Sequence, residues 1–128
     1  MILLAEPEAS LRETWGAGLA AMGFQVREAE TAATALQIAL RFEIALVITE
    51  LYLATRTERC LVLAARREPA LRRVKILVVS ARADEEDRQW ALAAGADAYL
   101  IKPVRPGRLF QVAARLATSR RQPPQRIA

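Results

Sequence analysis

The chain has 128 residues, 53% of them hydrophobic and 26% charged, with a formal net charge of +5. That is the size and balance of one compact domain, and it excludes a two-domain enzyme or a chain too polar to fold. With no histidine and a single cysteine, Cys60, Ser-His-Asp and Cys-His catalysis, His-ligated zinc, a phosphohistidine carrier and an internal disulfide are all excluded.

The lone thiol fits a cytoplasmic location. No apolar run approaches about 18 residues, and no basic stretch leads into an apolar one, so neither a membrane span nor a secretion signal is expected. The charge is uneven. The first 101 residues carry 12 basic and 14 acidic residues, whereas seven basic residues and no acid follow Asp97. The body is nearly neutral and the C-terminal end is a basic arm.

Ile2-Leu3-Leu4-Ala5 is a short apolar run bounded by charge, the pattern of a strand buried on both faces. Leu11, Trp15, Leu19 and Met22 then fall on one helical stripe, with Ser10 and Glu13 placed for a capping box and Gly23 as the stop. Phe24 to Ala29 alternates as a strand does. Thr31 caps a second helix carrying Ala35, Leu36, Ala39 and Leu40. Ile44 to Thr49 is a second buried run, ending abruptly at Glu50, and residues 57–67 read as a helix. Beyond Pro69, Val74 to Val79 gives another apolar run, ending at Ser80. Asp84 caps the next helix, whose first turn (Glu85, Glu86, Asp87) sets negative charge at the positive end of the dipole. Gly95 ends it. Tyr99-Leu100-Ile101 is the fifth strand, stopped by Lys102-Pro103. Pro106 opens a last helix with Leu109, Val112, Ala113 and Leu116 inward. Residues 1–118 form the domain, and 119–128 a basic, Pro-containing tail or linker.

Five strands, each followed by a helix, predict an α/β fold with a doubly wound parallel sheet. Ligand sites in such sheets lie outside the carboxyl ends of the strands. Glu6, Glu50, Ser80 and Lys102 stand at those ends. Any one of them could merely mark a strand edge; four at one pole point to a site.

The sequence here resembles the receiver domains of two-component response regulators, from Ile2 to about Leu116. The most specific stretch runs from Val78-Val79-Ser80-Ala81 through Ala94-Gly95-Ala96-Asp97-Ala98-Tyr99 to Lys102-Pro103. The resemblance implies a flavodoxin-like (βα)5 module that takes a phosphoryl group from a sensor kinase and changes its binding surface. It also implies roles for residues. Lys102 matches the lysine that contacts the phosphoryl group, and Pro103 a proline preceded by a cis bond. Ser80 is the switch hydroxyl and Tyr99 the switch aromatic. Glu50 stands at the phosphoacceptor position, and Glu6 at the first of two acidic metal-ligand positions.

The departures point to an atypical, pseudo-receiver variant. Glu50 replaces an aspartate, and Pro7 falls on the second acidic position. Ala54 and Glu58 replace a proline and a glycine. An acceptor displaced by one methylene is a misplacement of order 1 Å, which can cost about 10²-fold. Mg²⁺ demands near-ideal octahedral oxygen ligation, and Glu6, Glu50 and the Tyr52 carbonyl would hold it weakly at best. No cofactor and no catalysis are expected. The reading is a fixed-state protein-interaction module, with Glu50 drawn toward Lys102 and Ser80. A Tyr99 turned inward would favour an active-like state.

The expected partners are a sensor kinase or output protein, or a second copy. That copy would pair through the fourth helix, fifth strand and fifth helix, with Asp84, Glu85, Glu86 and Asp87 against Arg105, Arg108 and Arg115. Trp90 is an interface candidate there, although its spacing with Ala91 and Ala94 reads as core. The alternatives are a phosphorylation-competent receiver using Glu50 or another residue, and nucleic-acid binding through the C-terminal arginines. The arginines lack interleaved aromatics or a helix-turn-helix, so direct nucleic-acid binding is not expected.

Overall fold

A computed structural model describes residues 1–53 and 60–119. Within them lie β1 (Ile2–Ala5), α1 (Ala9–Ala21), β2 (Val26–Ala29), α2 (Ala32–Arg41), β3 (Leu46–Thr49), α3 (Leu61–Arg66), β4 (Lys75–Ser80), α4 (Glu85–Ala94), β5 (Ala98–Ile101) and α5 (Pro106–Ala117). A short 3-10 turn over Pro69–Leu71 precedes β4. The strands form one sheet in the order β2-β1-β3-β4-β5, and every pairing is parallel.

The apolar runs at β1, β3 and β4 explain the central strands. Successive side chains point to opposite faces, so each face needs its own cover. On one face, Leu3, Ala5, Val47, Ile76 and Val78 pack beneath Ala35 and Ala39 of α2, Val62 and Ala65 of α3, and Ala91 of α4. On the other, Ile2, Leu4, Leu46, Ile48, Leu77 and Val79 meet Trp15 and Leu19 of α1 and Leu109, Val112 and Leu116 of α5. Burying each large aliphatic side chain of this kind contributes about 1.5–3 kcal/mol.

Several local expectations change. Ser10 does not cap α1. The N-cap is Glu8, and Ser10 lies inside the helix, donating from Oγ to Glu8 Oε1 at 2.9 Å. Met22 and Leu40 are 47% and 48% exposed rather than inward, each at the C-terminal end of its helix. Thr31 does cap α2, accepting from Thr34 N at 3.2 Å, whereas Asp84 is the α4 N-cap without a side-chain cap bond. The strands before Ala29 and Thr49 begin at Val26 and Leu46, two residues later than the apolar runs. The helix expected over 57–67 is Leu61–Arg66. Residues 54–59 lie outside the described residues, and so do 120–128, which hold most of the expected tail.

At the amino-terminal pole of the sheet, Arg66 makes a clasp. Its Nε donates to Gly95 O at 3.0 Å, Nη1 to Leu71 O at 3.0 Å and Nη2 to Asp97 Oδ2 at 3.1 Å. Asp97 Oδ2 also accepts from Ile76 N at 2.8 Å, at the start of β4. Gly95 has φ +123°, and a Cβ there would lie 2.5 Å from Arg66 Cγ. Only glycine suits both demands. No helix among the described residues is long and apolar enough to cross a membrane.

Candidate functional site

The site forms because the parallel ladder runs one residue beyond three of the strands. Glu6 N donates to Ala29 O (3.1 Å), Glu50 N to Ala5 O (3.1 Å) and Lys102 N to Ser80 O (2.8 Å). Ala5 is paired with Thr49 and Ser80 with Ile101. Glu6, Glu50 and Lys102 therefore leave the sheet close together at its carboxyl pole, with Ser80 as the last residue of β4.

Lys102 is the meeting point. Its Nζ lies 2.6 Å from Glu6 Oε1 and 3.7 Å from Glu50 Oε1, and 5.9 Å from the ring centroid of Trp15. Glu6 is only 1% exposed, and its Oε2 accepts from Glu8 N at 2.8 Å. The Glu50 carboxylate turns one oxygen back onto Leu51 N at 3.1 Å. The expected relief of Glu50 by Lys102 is thus only partial, because Glu6 holds the ammonium more closely. Burial pushes the Glu50 carboxyl above its ordinary value. Lys102, the Ser80 hydroxyl and the Leu51 N–H pull it back, and Glu6 adds to the rise. An exposed pair contributes little, but here both partners are largely buried and attraction is stronger.

Pro7 follows Glu6 and supplies no side-chain oxygen. The neighbouring Glu8 carboxylate is engaged by Ser10, at the exposed start of α1. Among the described residues no group of three or more His, Cys, Asp or Glu side chains comes together to hold a metal ion.

Ser80 Oγ accepts from Arg82 N at 3.2 Å. Tyr99 turns toward the same loop, donating from its hydroxyl to Arg82 O at 2.8 Å. Its pKa is raised, first by burial, and the nearby Ser80 hydroxyl acts against that rise. The Lys102-Pro103 bond is cis, as the resemblance implies.

Tyr52 and Trp90 come together outside the pocket, with ring centroids 6.4 Å apart, and the Arg82 guanidinium lies 5.0 Å from the Tyr52 ring centroid. Trp90 is 41% exposed, so its core reading is corrected. Ala91, the next residue, takes the inward position on α4, and Trp90 faces the segment after β3. Arg105 and Arg108 are exposed at the start of α5.

Two contributors were missed in the sequence. Arg12 donates from Nη1 to Glu6 O at 2.7 Å and lies 3.7 Å from Glu28. Arg82 links the Ser80, Tyr99 and Tyr52 contacts just described. Neither stands at a strand end. Arg12 falls one turn into α1, and that position was the only available signal.

The profile of the family described as "Response regulator receiver domain" matches residues 2–114. The chain is 33% identical over 109 residues to the transcriptional regulatory protein GltR of Pseudomonas aeruginosa, covering 85% of this chain and 45% of that protein. It is 31% identical over 101 residues to a gliding motility regulatory protein of Myxococcus xanthus, covering 79% of this chain and 13% of that one. The chain thus spans less than half the length of these curated relatives. Among solved structures, the chemotaxis response regulator CheY4 of Vibrio cholerae superposes with a TM-score of 0.81 at 25% identity, covering 90% of this chain and 96% of that chain. The profile, the relatives and the shared (βα)5 sheet agree with the pocket at its carboxyl pole: the chain belongs to the response regulator receiver domain family.

Proposed function

We propose that this receiver domain does not run the ordinary phosphorylation cycle and acts as a fixed-state interaction module. The observation that carries the reading is the Glu50 carboxylate. It stands at the acceptor position one methylene too long, with one oxygen folded onto Leu51 N at 3.1 Å and the other facing Lys102 at 3.7 Å. Phosphoryl transfer is governed by in-line positioning and charge neutralisation, and a nucleophile tied to its own backbone is poorly placed for it.

The donor set does not fit Mg²⁺. The second acidic position is Pro7, and both oxygens of Glu6 are engaged by Lys102 and Glu8 N. No step is therefore assigned to a metal. What the residues do instead is hold one arrangement: Glu50 places negative charge near Lys102 and Ser80 without a phosphoryl group. Tyr99 turned to the Arg82 carbonyl supports the active-like version of the fixed state.

The output is a protein partner in a two-component pathway. A second copy is the specific candidate, with Asp84, Glu85, Glu86 and Asp87 of one protomer facing Arg105, Arg108 and Arg115 of the other across a two-fold axis. A chain of this kind works in the cytoplasm, as a signalling module and not as an enzyme.

The test is incubation with a small-molecule phosphodonor and Mg²⁺, read by intact mass. The natural chain is expected to gain no phosphate, and the double variant Glu50→Asp with Pro7→Asp to gain one. Stoichiometric phosphate on the natural chain would overturn the reading in favour of a competent receiver.

A further inference from the structure

We infer that Lys102 is the resident cation of the pocket, its ammonium pairing with Glu6 and facing Glu50 from within, where a divalent ion otherwise would sit. The inference rests on the proposed function above and extends it to what holds the site closed.

Three observations carry it. Glu6 is 1% exposed, and a buried carboxylate is tolerated only when paired and hydrogen-bonded. Its two oxygens have one partner each: Lys102 Nζ at 2.6 Å and Glu8 N at 2.8 Å. A metal ion would have to share an oxygen already bonded to Lys102 or Glu8 N, and the adjacent residue, Pro7, offers no side-chain ligand.

Lys102 is itself held on several sides. Its backbone N–H is bonded to Ser80 O at 2.8 Å, and its ammonium lies between Glu6, Glu50 and the face of Trp15, where a cation–π attraction adds to the charge pairing. Its side chain is 17% exposed.

The third observation is topological. β1 and β5 are not neighbours in the sheet, since β3 and β4 lie between them. The Lys102–Glu6 contact joins residues 96 apart in sequence and ties the ends of those separated strands. Arg12 supports the same corner from α1 through the Glu6 carbonyl. The cation is thus covalently part of the chain, and Glu6 stays paired whatever the divalent ion concentration.

The experiment is thermal unfolding, with and without millimolar Mg²⁺, of the natural chain, Lys102→Met, Lys102→Arg and the double variant Glu6→Gln with Lys102→Met. The natural chain and Lys102→Arg are expected to unfold at the same temperature with and without Mg²⁺. Lys102→Met should lose about 10 °C or more, as expected for a buried charge stripped of its partner, and should regain part of that loss in Mg²⁺. The double variant should unfold above Lys102→Met and ignore Mg²⁺.

Should Lys102→Met fail to fold, the Mg²⁺ response of the natural chain and Lys102→Arg, each carrying Trp90→Phe so that Trp15 alone reports by fluorescence, still decides the matter. A Mg²⁺-dependent rise in the natural chain overturns the inference, as does a Lys102→Met variant as stable as the natural one. Either result leaves the phosphate-uptake test standing, so failure here is distinguishable from failure of the proposed function.

Discussion

Two ion-paired clusters sit at opposite poles of the same sheet. At the amino-terminal pole, Arg66 spreads three hydrogen bonds over Gly95 O, Leu71 O and Asp97. At the carboxyl pole, the single ammonium of Lys102 serves both Glu6 and Glu50. The Arg66 guanidinium meets the Asp97 carboxylate at 3.1 Å. Its planar fork covers backbone carbonyls as well, so it acts as a structural fastening. The second cluster has one carboxylate in excess, and that excess falls on Glu50, whose pKa is raised by burial. The fastening spends its donors on backbone carbonyls, whereas the site sets its cation between two carboxylates.

The largest expected effect tests the fastening. Arg66→Ala removes three donors from a pair whose side chains are 12% and 15% exposed, and should destabilise by about 3 kcal/mol. Chemical denaturation measures that loss. A loss of less than about 1 kcal/mol would mean that the clasp is no fastening and would dissolve the contrast between the poles.

Next comes Gly95→Ala, which combines a positive φ with a close approach to Arg66 and should cost about 2 kcal/mol. A neutral result would mean that the clasp can move aside, and the contrast between the poles would weaken.

Glu50→Gln is the smallest change and the one that sharpens the comparison most. Because the folded pKa of Glu50 is raised, the folded chain holds that proton more firmly than the unfolded one. Stability associated with protonated Glu50 is present at acid pH and lost as pH rises through the raised pKa. The glutamine variant should therefore gain on the natural chain above that pKa and converge with it in acid. A difference that stayed constant across the pH series would contradict the assignment of the surplus charge to Glu50.

Much of this was legible in the sequence, for identifiable reasons. Strong apolar runs such as Leu46–Thr49 and punctuation by Gly23, Gly95 and Pro106 announced the alternation of strands and helices. The polar residues that end those runs, Glu6, Glu50, Ser80 and Lys102, are brought together at the carboxyl pole. What was not legible depends on three-dimensional direction. The sequence placed Trp90 on α4 but not which neighbour its ring would meet, because adjacent helical positions differ by about 100°. Spacing also could not decide how Lys102 divides between two carboxylates, since a long side chain has many rotamers and the choice is made by the N–H groups of Glu8 and Leu51. The Arg66 clasp escaped notice because two of its described partners, the Gly95 and Leu71 carbonyls, are backbone atoms with no residue signature.

The central claim concerns which cation neutralises the pocket and whether an acceptor is available there. Crystals of the natural chain soaked in Mg²⁺ and beryllofluoride measure both at once. The account predicts an unchanged pocket, with Lys102 on Glu6 and neither added species at Glu50. Beryllofluoride on the Glu50 carboxylate beside a regularly coordinated Mg²⁺ would contradict it.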